Sequence, residues 1–273
     1  MKPEGSAVVT GAGRGLGRAL AWELARRGFE VVATARQPEA VEALVSEARA
    51  AGLALRGQAL DVTRPETLEL PTGLRVVVNN AGLDGPYLPV EHAPTEQWRE
   101  LFETNFFGAL EVIRCAVPRL RESGGGVICN VTTASLLGPV PFFGMYRAGK
   151  AALSALGESL RAEVAPFGIR VLEILPGPIA TDMLAASDRL PEAAGHPGYE
   201  PGARRAHEGR RSVAGRETPP ADAARAIADA ILDDESPLRC ACDPLGRALL
   251  ESWRSQGDEE FMQGMLGAFL PEE

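Results

Sequence analysis

In the stretch YRAGK, Tyr146 and Lys150 stand four residues apart. On a helix that spacing puts both side chains on one face, about one turn apart. An unperturbed tyrosine titrates near ~10 and is a poor base at neutral pH, but a neighbouring ammonium stabilises the phenolate and lowers that value. Lys2 and Lys150 are the only lysines among 28 basic residues. A guanidinium fork suits the paired oxygens of an anion, whereas a compact ammonium can sit beside a phenol and a ribose diol together. A chain that writes arginine nearly everywhere thus has a chemical reason to write lysine here. Just upstream, CNVTTASLLGPVPFFGMY supplies hydroxyls at Thr132, Thr133 and Ser135. One of them near the tyrosine could hold a carbonyl or alcohol oxygen while hydride moves. Spacing alone does not choose among the three.

A second set of residues has the chemistry of phosphate binding. VVTGAGRGLGRAL places Gly11, Gly13, Gly15 and Gly17 between an apolar strand and an amphipathic helix. Glycines there let the backbone approach a pyrophosphate, which then rests on the free N–H groups of the helix start. The spacing is GxxxGxG, not GxGxxG. The next strand, VVATAR, ends in Arg36 where an NAD enzyme would carry an acid for the ribose 2′-hydroxyl. Arg36 with Arg14 suits a 2′-phosphate, so NADP(H) is favoured, with NAD(H) as the alternative. Asp61 in LDVT is placed either to meet an adenine edge or to cap a helix. VVVNNAG ends a further strand at Asn79, Asn80, Ala81 and Gly82, small and amide residues suited to lining a ligand crevice.

Positioning these groups requires a layered scaffold, and the chain has its pattern. Runs rich in Val and Ile (SAVVT, FEVVATA, RVVVNN, GVICNV, IRVLEIL) alternate with helix-period segments. That alternation predicts an α/β, doubly wound (Rossmann-like) parallel sheet of about seven strands flanked by helices. Gly28 and Gly52 are expected to end the first two helices. Residues 181–220, dense in Pro, Gly and Arg, read as a mobile loop or substrate lid. PPADAARAIADAILDD then restores a helix, PLRCACD offers a last strand, and the extension near 244–273 reads as one or two docked helices. With no linker or repeat in view, residues 1–273 are expected to form a single domain.

Composition narrows the partners. A net charge of −9 with 45% hydrophobic residues argues for a large core and against a nucleic-acid surface. The N-terminal MKPEGSAVVTG carries no apolar signal core, and no run approaches the ~20 residues needed to cross a bilayer. A cytoplasmic protein with no membrane span is expected. Cys115, Cys129, Cys240 and Cys242 lack metal-ligand or redox spacing and read as buried free thiols, and His92, His196 and His207 as solvated loop residues. No metal is expected.

Taken together, these motifs resemble the short-chain dehydrogenase/reductase family. TGAGRGLG is similar to its TGxxxGxG loop, NNAG to its NNAG element, YRAGK to its YxxxK centre and LPGPIAT to its PG motif, in order from Ser6 to Thr181. The resemblance implies that Tyr146 is the general acid/base and that Lys150 binds the nicotinamide ribose and lowers the tyrosine pKa. It implies that Asn105, in ETNFFG, holds a water in the proton relay. The family's interval before the tyrosine places the catalytic hydroxyl on Thr133, where the family normally has Ser, with Ser135 as runner-up. The same resemblance sets the cofactor against Gly11, Arg14, Gly15, Leu16, Gly17, Arg36, Asp61, Val62, Asn79, Ala81 and Gly82. On the far side it adds Tyr146, Lys150, Pro176, Gly177, Ile179 and Thr181. The short stretch between Asp61 and Asn79 implies a truncated third helix.

LLGPVPFFGMY and the C-terminal tail are similar to the hydroxysteroid and retinol dehydrogenase branch. With Phe142, Phe143, Met145 and Met183 near the presumed pocket, a hydrophobic ketone or secondary alcohol is the expected substrate, and a homodimer or homotetramer the expected assembly. A catalytically idle nucleotide-bound sensor or scaffold is the alternative from another class, though YxxxK is intact. A lyase or epimerase on the same fold has no distinguishing motif here.

Overall fold

Seven parallel strands form one sheet in the order β3-β2-β1-β4-β5-β6-β7 in a computed structural model of the chain, which describes residues 1–267. In chain order the elements are β1 (Ser6–Val9), α1 (Gly15–Arg27), β2 (Glu30–Ala35), α2 (Pro38–Ala50), β3 (Leu55–Ala59) and β4 (Leu74–Asn79). Then come α3 (Thr95–Phe102), α4 (Gly108–Glu122), β5 (Gly126–Val131), α5 (Gly144–Val164) and β6 (Ile169–Ile174). The last are α6 (Asp182–Ser187), α7 (Glu200–Arg211), α8 (Pro220–Leu232), β7 (Arg239–Cys240), α9 (Pro244–Ser255) and α10 (Asp258–Gly267). The tail extension beyond 267 lies outside the described residues.

The central strands are apolar on both faces because helices cover both. Val76 and Val78 of β4 and Leu172 and Ile174 of β6 pack with Leu20 and Leu24 of α1 and Ile227 and Ile231 of α8. Their neighbours along the same strands, Val77, Val171 and Ile169, pack the other way against Val112 and Ile113 of α4 and Leu153 and Leu160 of α5. Successive strand side chains point to opposite faces, so a run such as VVV fills both layers at once. Edge strand β3 is more exposed and carries Arg56 and Gln58, which blunt it against pairing with another chain. Gly28 and Gly52 take left-handed backbone at the ends of α1 and α2, φ +110° and +72°.

This strand order has one consequence for function. The chain runs outward from β1 to β3 and then returns to place β4 on the other side of β1. Loops leaving the carboxyl ends of β1 and β4 therefore part in opposite directions and open a crevice, the usual ligand position in such sheets. The glycine loop and NNAG are those two loops.

Several expectations need correcting. Residues 181–220 are not a bare loop: they hold α6, a short turn of helix at Glu192–Gly195, and α7. Only Ala203 of α7 is fully buried, so apolar periodicity had nothing to report there. Its stability comes from Pro at its start, a Glu200–Arg204 pair at 2.8 Å and Arg210 packed on the Tyr87 and Phe143 rings. Between β3 and β4 stands only a single 3-10 turn, Pro65–Thr67, in keeping with the truncated third helix. His92 and His196 stack on each other at 4.1 Å, and His207 lies in α7. All four cysteines are free, but only Cys129 and Cys242 are buried; Cys115 faces outward from α4 and is exposed.

Candidate active site

The glycine loop is held open by its neighbours. Gly11 takes φ +65°, and a Cβ there would lie 2.7 Å from the Ala81 Cα. At Gly17 a Cβ would lie 2.3 Å from Asn80 Nδ2 and 2.5 Å from the Gly11 carbonyl oxygen, so no other residue fits without moving backbone. Asn80 and Thr10 do the tethering. Asn80 Nδ2 donates to the carbonyls of Thr10 (2.9 Å) and Gly11 (3.1 Å), while Thr10 Oγ1 accepts from the Asn80 and Ala81 N–H groups. Neither residue was singled out for this job from the sequence, although both stand inside TG and NNAG.

Helix α1 starts at Gly15 with no side-chain cap and no acid in its first turn. The first N–H groups of a helix are free for a side chain, water or a ligand. An uncapped start, behind glycines whose Cβ positions are filled by backbone, fits a pyrophosphate on the helix N-terminus. Leu16 is half-buried against the core behind this turn. Arg14 and Arg36 are both exposed at the rim of the loop. Asp61 accepts from the Thr63 N–H (3.0 Å) and hydroxyl (2.8 Å), a turn of its own and not a helix cap. Burial alone would raise the Asp61 carboxyl; the Thr63 hydrogen bonds, with Arg64 and Arg36 nearby, hold it below its usual value.

Not every expected cofactor residue points its side chain into the crevice. Asn79 is 3% exposed and donates through Nδ2 to Asn130 Oδ1 at 2.9 Å, inside the sheet between β4 and β5. Val62 is buried against Gly108 at the start of α4. For these two only the backbone can face a ligand. Across the crevice, the PG turn is anchored by the buried Asp243, whose carboxylate accepts from Gly177 N (2.7 Å) and Gly246 N (2.7 Å). Pro176 O accepts from Ala134 N, and Ile179 bridges to Thr218. Thr181 caps α6, and its Cγ2 stands 3.3 Å from where a Gly15 Cβ would be, so this turn closes over the glycine loop.

At the other end of the crevice, α5 brings Tyr146 and Lys150 to the exit of β5. Lys150, 4% exposed, donates through Nζ to the Val131 carbonyl at 2.8 Å. Two residues on, the Thr133 hydroxyl comes near enough to the Tyr146 phenol to pull its pKa down. The two side chains therefore face the same strand end, as the four-residue spacing requires. Thr133 Oγ1 also lies 3.1 Å from Ser135 Oγ and accepts from Ser135 N at 3.2 Å, so Ser135 stands behind Thr133. Asn105 is 1% exposed in a π turn, Glu103–Phe107, between α3 and α4. Its amide is spent on Leu83: Oδ1 accepts from Leu83 N (2.7 Å) and Nδ2 donates to Leu83 O (2.9 Å). Asn105 Oδ1 and Lys150 Nζ converge on Gly82, at 3.3 and 3.4 Å from its would-be Cβ.

The electrostatics depart from the sequence expectation. Burial pushes the Tyr146 phenol above its ordinary value, Asp84 adds to this, and the Thr133 hydroxyl pulls the other way. Lys150 is pushed down to about 8 by burial. Burial is thus the largest influence on the phenol, and the Lys150 ammonium directs its hydrogen bond to the Val131 carbonyl. Around the phenol, Phe143 meets Tyr146 edge-on with ring centres 6.2 Å apart and stacks on Tyr87 at 4.6 Å. The Tyr87 hydroxyl donates to the Asp84 carboxylate, and burial with that contact raises its pKa to about 12. Phe142, at φ +65°, holds a left-handed conformation that costs a bulky residue about 1–3 kcal/mol. Met145 is buried and Met183 exposed.

Comparison with known proteins accords with this arrangement. Residues 6–191 match the family model for short chain dehydrogenases. An uncharacterized oxidoreductase of Bacillus subtilis is 38% identical over 191 residues, covering 66% of this chain and 67% of the relative. A short-chain dehydrogenase from Streptomyces avermitilis superposes with a TM-score of 0.75 at 31% identity, over 92% of this chain and 94% of that one. One from Burkholderia cenocepacia, solved in complex with NADP, gives a TM-score of 0.73 at 27% identity over 100% of both chains. The chain belongs to the short-chain dehydrogenase/reductase family, oxidoreductases that use nicotinamide cofactors on small-molecule substrates.

Proposed function

We propose that the protein transfers a hydride between NADP(H) and the carbonyl or secondary-alcohol carbon of a hydrophobic substrate, with Tyr146 moving the proton. The observation that carries this reading is the convergence at the end of β5: Lys150 on the Val131 carbonyl at 2.8 Å, and Tyr146, one helical turn away on α5, beside the Thr133 hydroxyl. When bound, the nicotinamide supplies or accepts the hydride.

The remaining chemistry belongs to the chain. A phenol held above its ordinary pKa stays protonated at neutral pH, so Tyr146 is poised to give its proton to a carbonyl oxygen that is becoming an alkoxide. Reduction is the direction we assign, because NADPH ordinarily serves it. Thr133 Oγ1 holds the same oxygen, a task of orientation and charge stabilisation. Lys150, ammonium-bearing below about 8, binds the ribose and restores positive charge beside a phenolate once the proton has left. Asn105, with its amide engaged by Leu83, acts by fixing the loop after NNAG and by its backbone.

Recognition is assigned in the same way. The backbone N–H groups of Gly15, Leu16 and Gly17 take the pyrophosphate, Asp61 and the Val62 backbone lie toward the adenine, and Ala81 and Gly82 line the floor. Pro176, Gly177, Ile179 and Thr181 cover the nicotinamide end. Arg14 and Arg36 select the 2′-phosphate, since two exposed arginines offer it forks that a bare 2′-hydroxyl cannot use. Residues 181–220, with α6 and α7, form the lid. Four free cysteines support a reducing, cytoplasmic setting, and among the described residues no helix is long and apolar enough to cross a membrane. The working form is a homodimer or homotetramer, which light scattering tests.

The experiment is to mix the purified protein with NADPH and a panel of ketones and aldehydes and follow the absorbance of the reduced nicotinamide. Consumption with at least one member supports the reading. Tight NADPH binding with no consumption across a broad panel would replace it with the idle sensor.

A further inference from the structure

We propose that the lid and the loop before Tyr146 form an anion subsite, and that the substrate is a carbonyl compound carrying a carboxylate at the end of a short apolar chain. This rests on the oxidoreductase reading above. A cavity of about 200 Å³ lies between Pro141 and Phe143 on one side and Pro191, Arg189, His207 and Arg210 on the other. Three basic side chains and no acid line it. In a chain with 37 acids against 28 Lys and Arg, a cavity so composed runs against the average surface.

The bases are only partly neutralised by what surrounds them. Glu192 lies 3.4 Å from Arg189, but its carboxylate also accepts from the Tyr87 N–H at 2.8 Å. Asp188 is 4.0 Å from His207 Nδ1, and that nitrogen is buried with no hydrogen-bond partner. Arg210 donates to the Ser187 carbonyl, lies over Tyr87 and Phe143, 4.5 and 4.6 Å from the ring centres, and stands by the Tyr87 hydroxyl that donates to Asp84, with no salt bridge to a carboxylate among the described residues. The contrast is the larger cavity of about 480 Å³ beside α5. There Arg239 is paired with both Glu158 and Glu173, so its charges are already matched.

Phe143 connects the subsite to the reacting centre. One face of its environment is the cavity, and its ring meets Tyr146 edge-on with centres 6.2 Å apart. In this proposal a substrate whose oxygen sits at Tyr146 runs along Phe143 and places its terminal group among Arg189, His207 and Arg210. The volume equals the liquid share of about seven waters at ~30 Å³ each, and ligand pockets as a whole run to ~300–1,000 Å³. This is the end of a pocket, sized for a short acid and too small for a polycyclic body.

The test is a calorimetric titration of the protein loaded with NADP⁺, so that no hydride can move. The probes are straight-chain oxoacids from levulinate upward and their methyl esters, on wild type, Arg210→Gln and Arg189→Gln. At least one acid should bind about tenfold or more tightly than its ester, since the carboxylate gains charge-assisted hydrogen bonds that the ester lacks. Arg210→Gln should bring that ratio close to one, and Arg189→Gln should reduce it. Arg189 is 44% exposed, so its variant tests the site even if Arg210→Gln misfolds. Ester binding as tight as acid binding across the series, or an acid preference that survives both substitutions, would overturn the subsite. The parent reading fails separately: if acids are preferred but no carbonyl compound consumes NADPH, the anion site stands and the oxidoreductase reading does not.

Discussion

Replacing Thr133 with Ala removes the hydroxyl that lowers the Tyr146 pKa, and the size of the effect follows from what that hydroxyl does. It lowers the phenol pKa, caps the short helix Ala134–Leu137 through Ser135 N at 3.2 Å, and lies 3.1 Å from Ser135 Oγ. Loss of the cap costs stability on the order of 1 kcal/mol, a fall of a few degrees in Tm. Loss of a donor aimed at a developing oxyanion costs about 10²–10³ in kcat. The same change lets the phenol pKa rise further, since the hydroxyl was pulling it down. Ser135→Ala removes only a neutral bond behind Thr133, worth about 0.5–1.5 kcal/mol, and should cost tenfold or less in kcat. Thr133→Ser keeps both hydroxyl and cap and should restore most of the activity. The assay is kcat with saturating NADPH and the best ketone, alongside NADPH affinity and Tm. A larger loss in Ser135→Ala than in Thr133→Ala would refute the assignment. So would a Thr133→Ala defect confined to Tm.

The other perturbations probe the cofactor cradle and the buried ammonium. Arg36→Asp removes a phosphate fork and adds an acid for a ribose diol, so the preference for NADPH over NADH should fall by about tenfold or more; an unchanged ratio of kcat/KM values would argue against the phosphate contact. Gly17→Ala drives a Cβ to 2.5 Å from the Gly11 carbonyl oxygen, which should cost about 1–3 kcal/mol of stability and weaken NADPH binding; wild-type Tm and affinity would contradict the packing. Lys150, with its pKa pushed down to about 8 in the fold and ordinarily near 10.5, binds fewer protons folded than unfolded between those values. Stability should therefore rise with pH across that window in wild type relative to Lys150→Met, by on the order of 3 kcal/mol at most. Parallel denaturation midpoints for the two proteins from pH 8 upward would show that the ammonium is not buried.

The sequence was most legible where one local rule sufficed. Alternating apolar strands faced by helices, such as β4 with Val76 and Val78 on one layer and Val77 on the other, gave away the doubly wound sheet. The four-residue spacing of Tyr146 and Lys150 correctly put both on one face of α5. Contacts between distant segments were not legible in this way. Asn79 reads as a crevice residue from its place at a strand end, yet its amide finds Asn130 across the sheet. α7 has almost no apolar stripe, and its Arg210 packs on Tyr87 and Phe143, residues more than fifty positions away. The phenol's upward shift comes from burial, with the charges of Asp84 and Tyr87 adding to it, so its sign could not come from the adjacent lysine alone.

The central claim is that Tyr146 moves the proton while the rest of the cleft holds the nucleotide. Measuring NADPH affinity and NADPH consumption side by side in Tyr146→Phe tests it most directly. The account predicts affinity within a few-fold of wild type and turnover lowered by about 10²–10⁴, the size of a lost general acid. Turnover near the wild-type rate would contradict it.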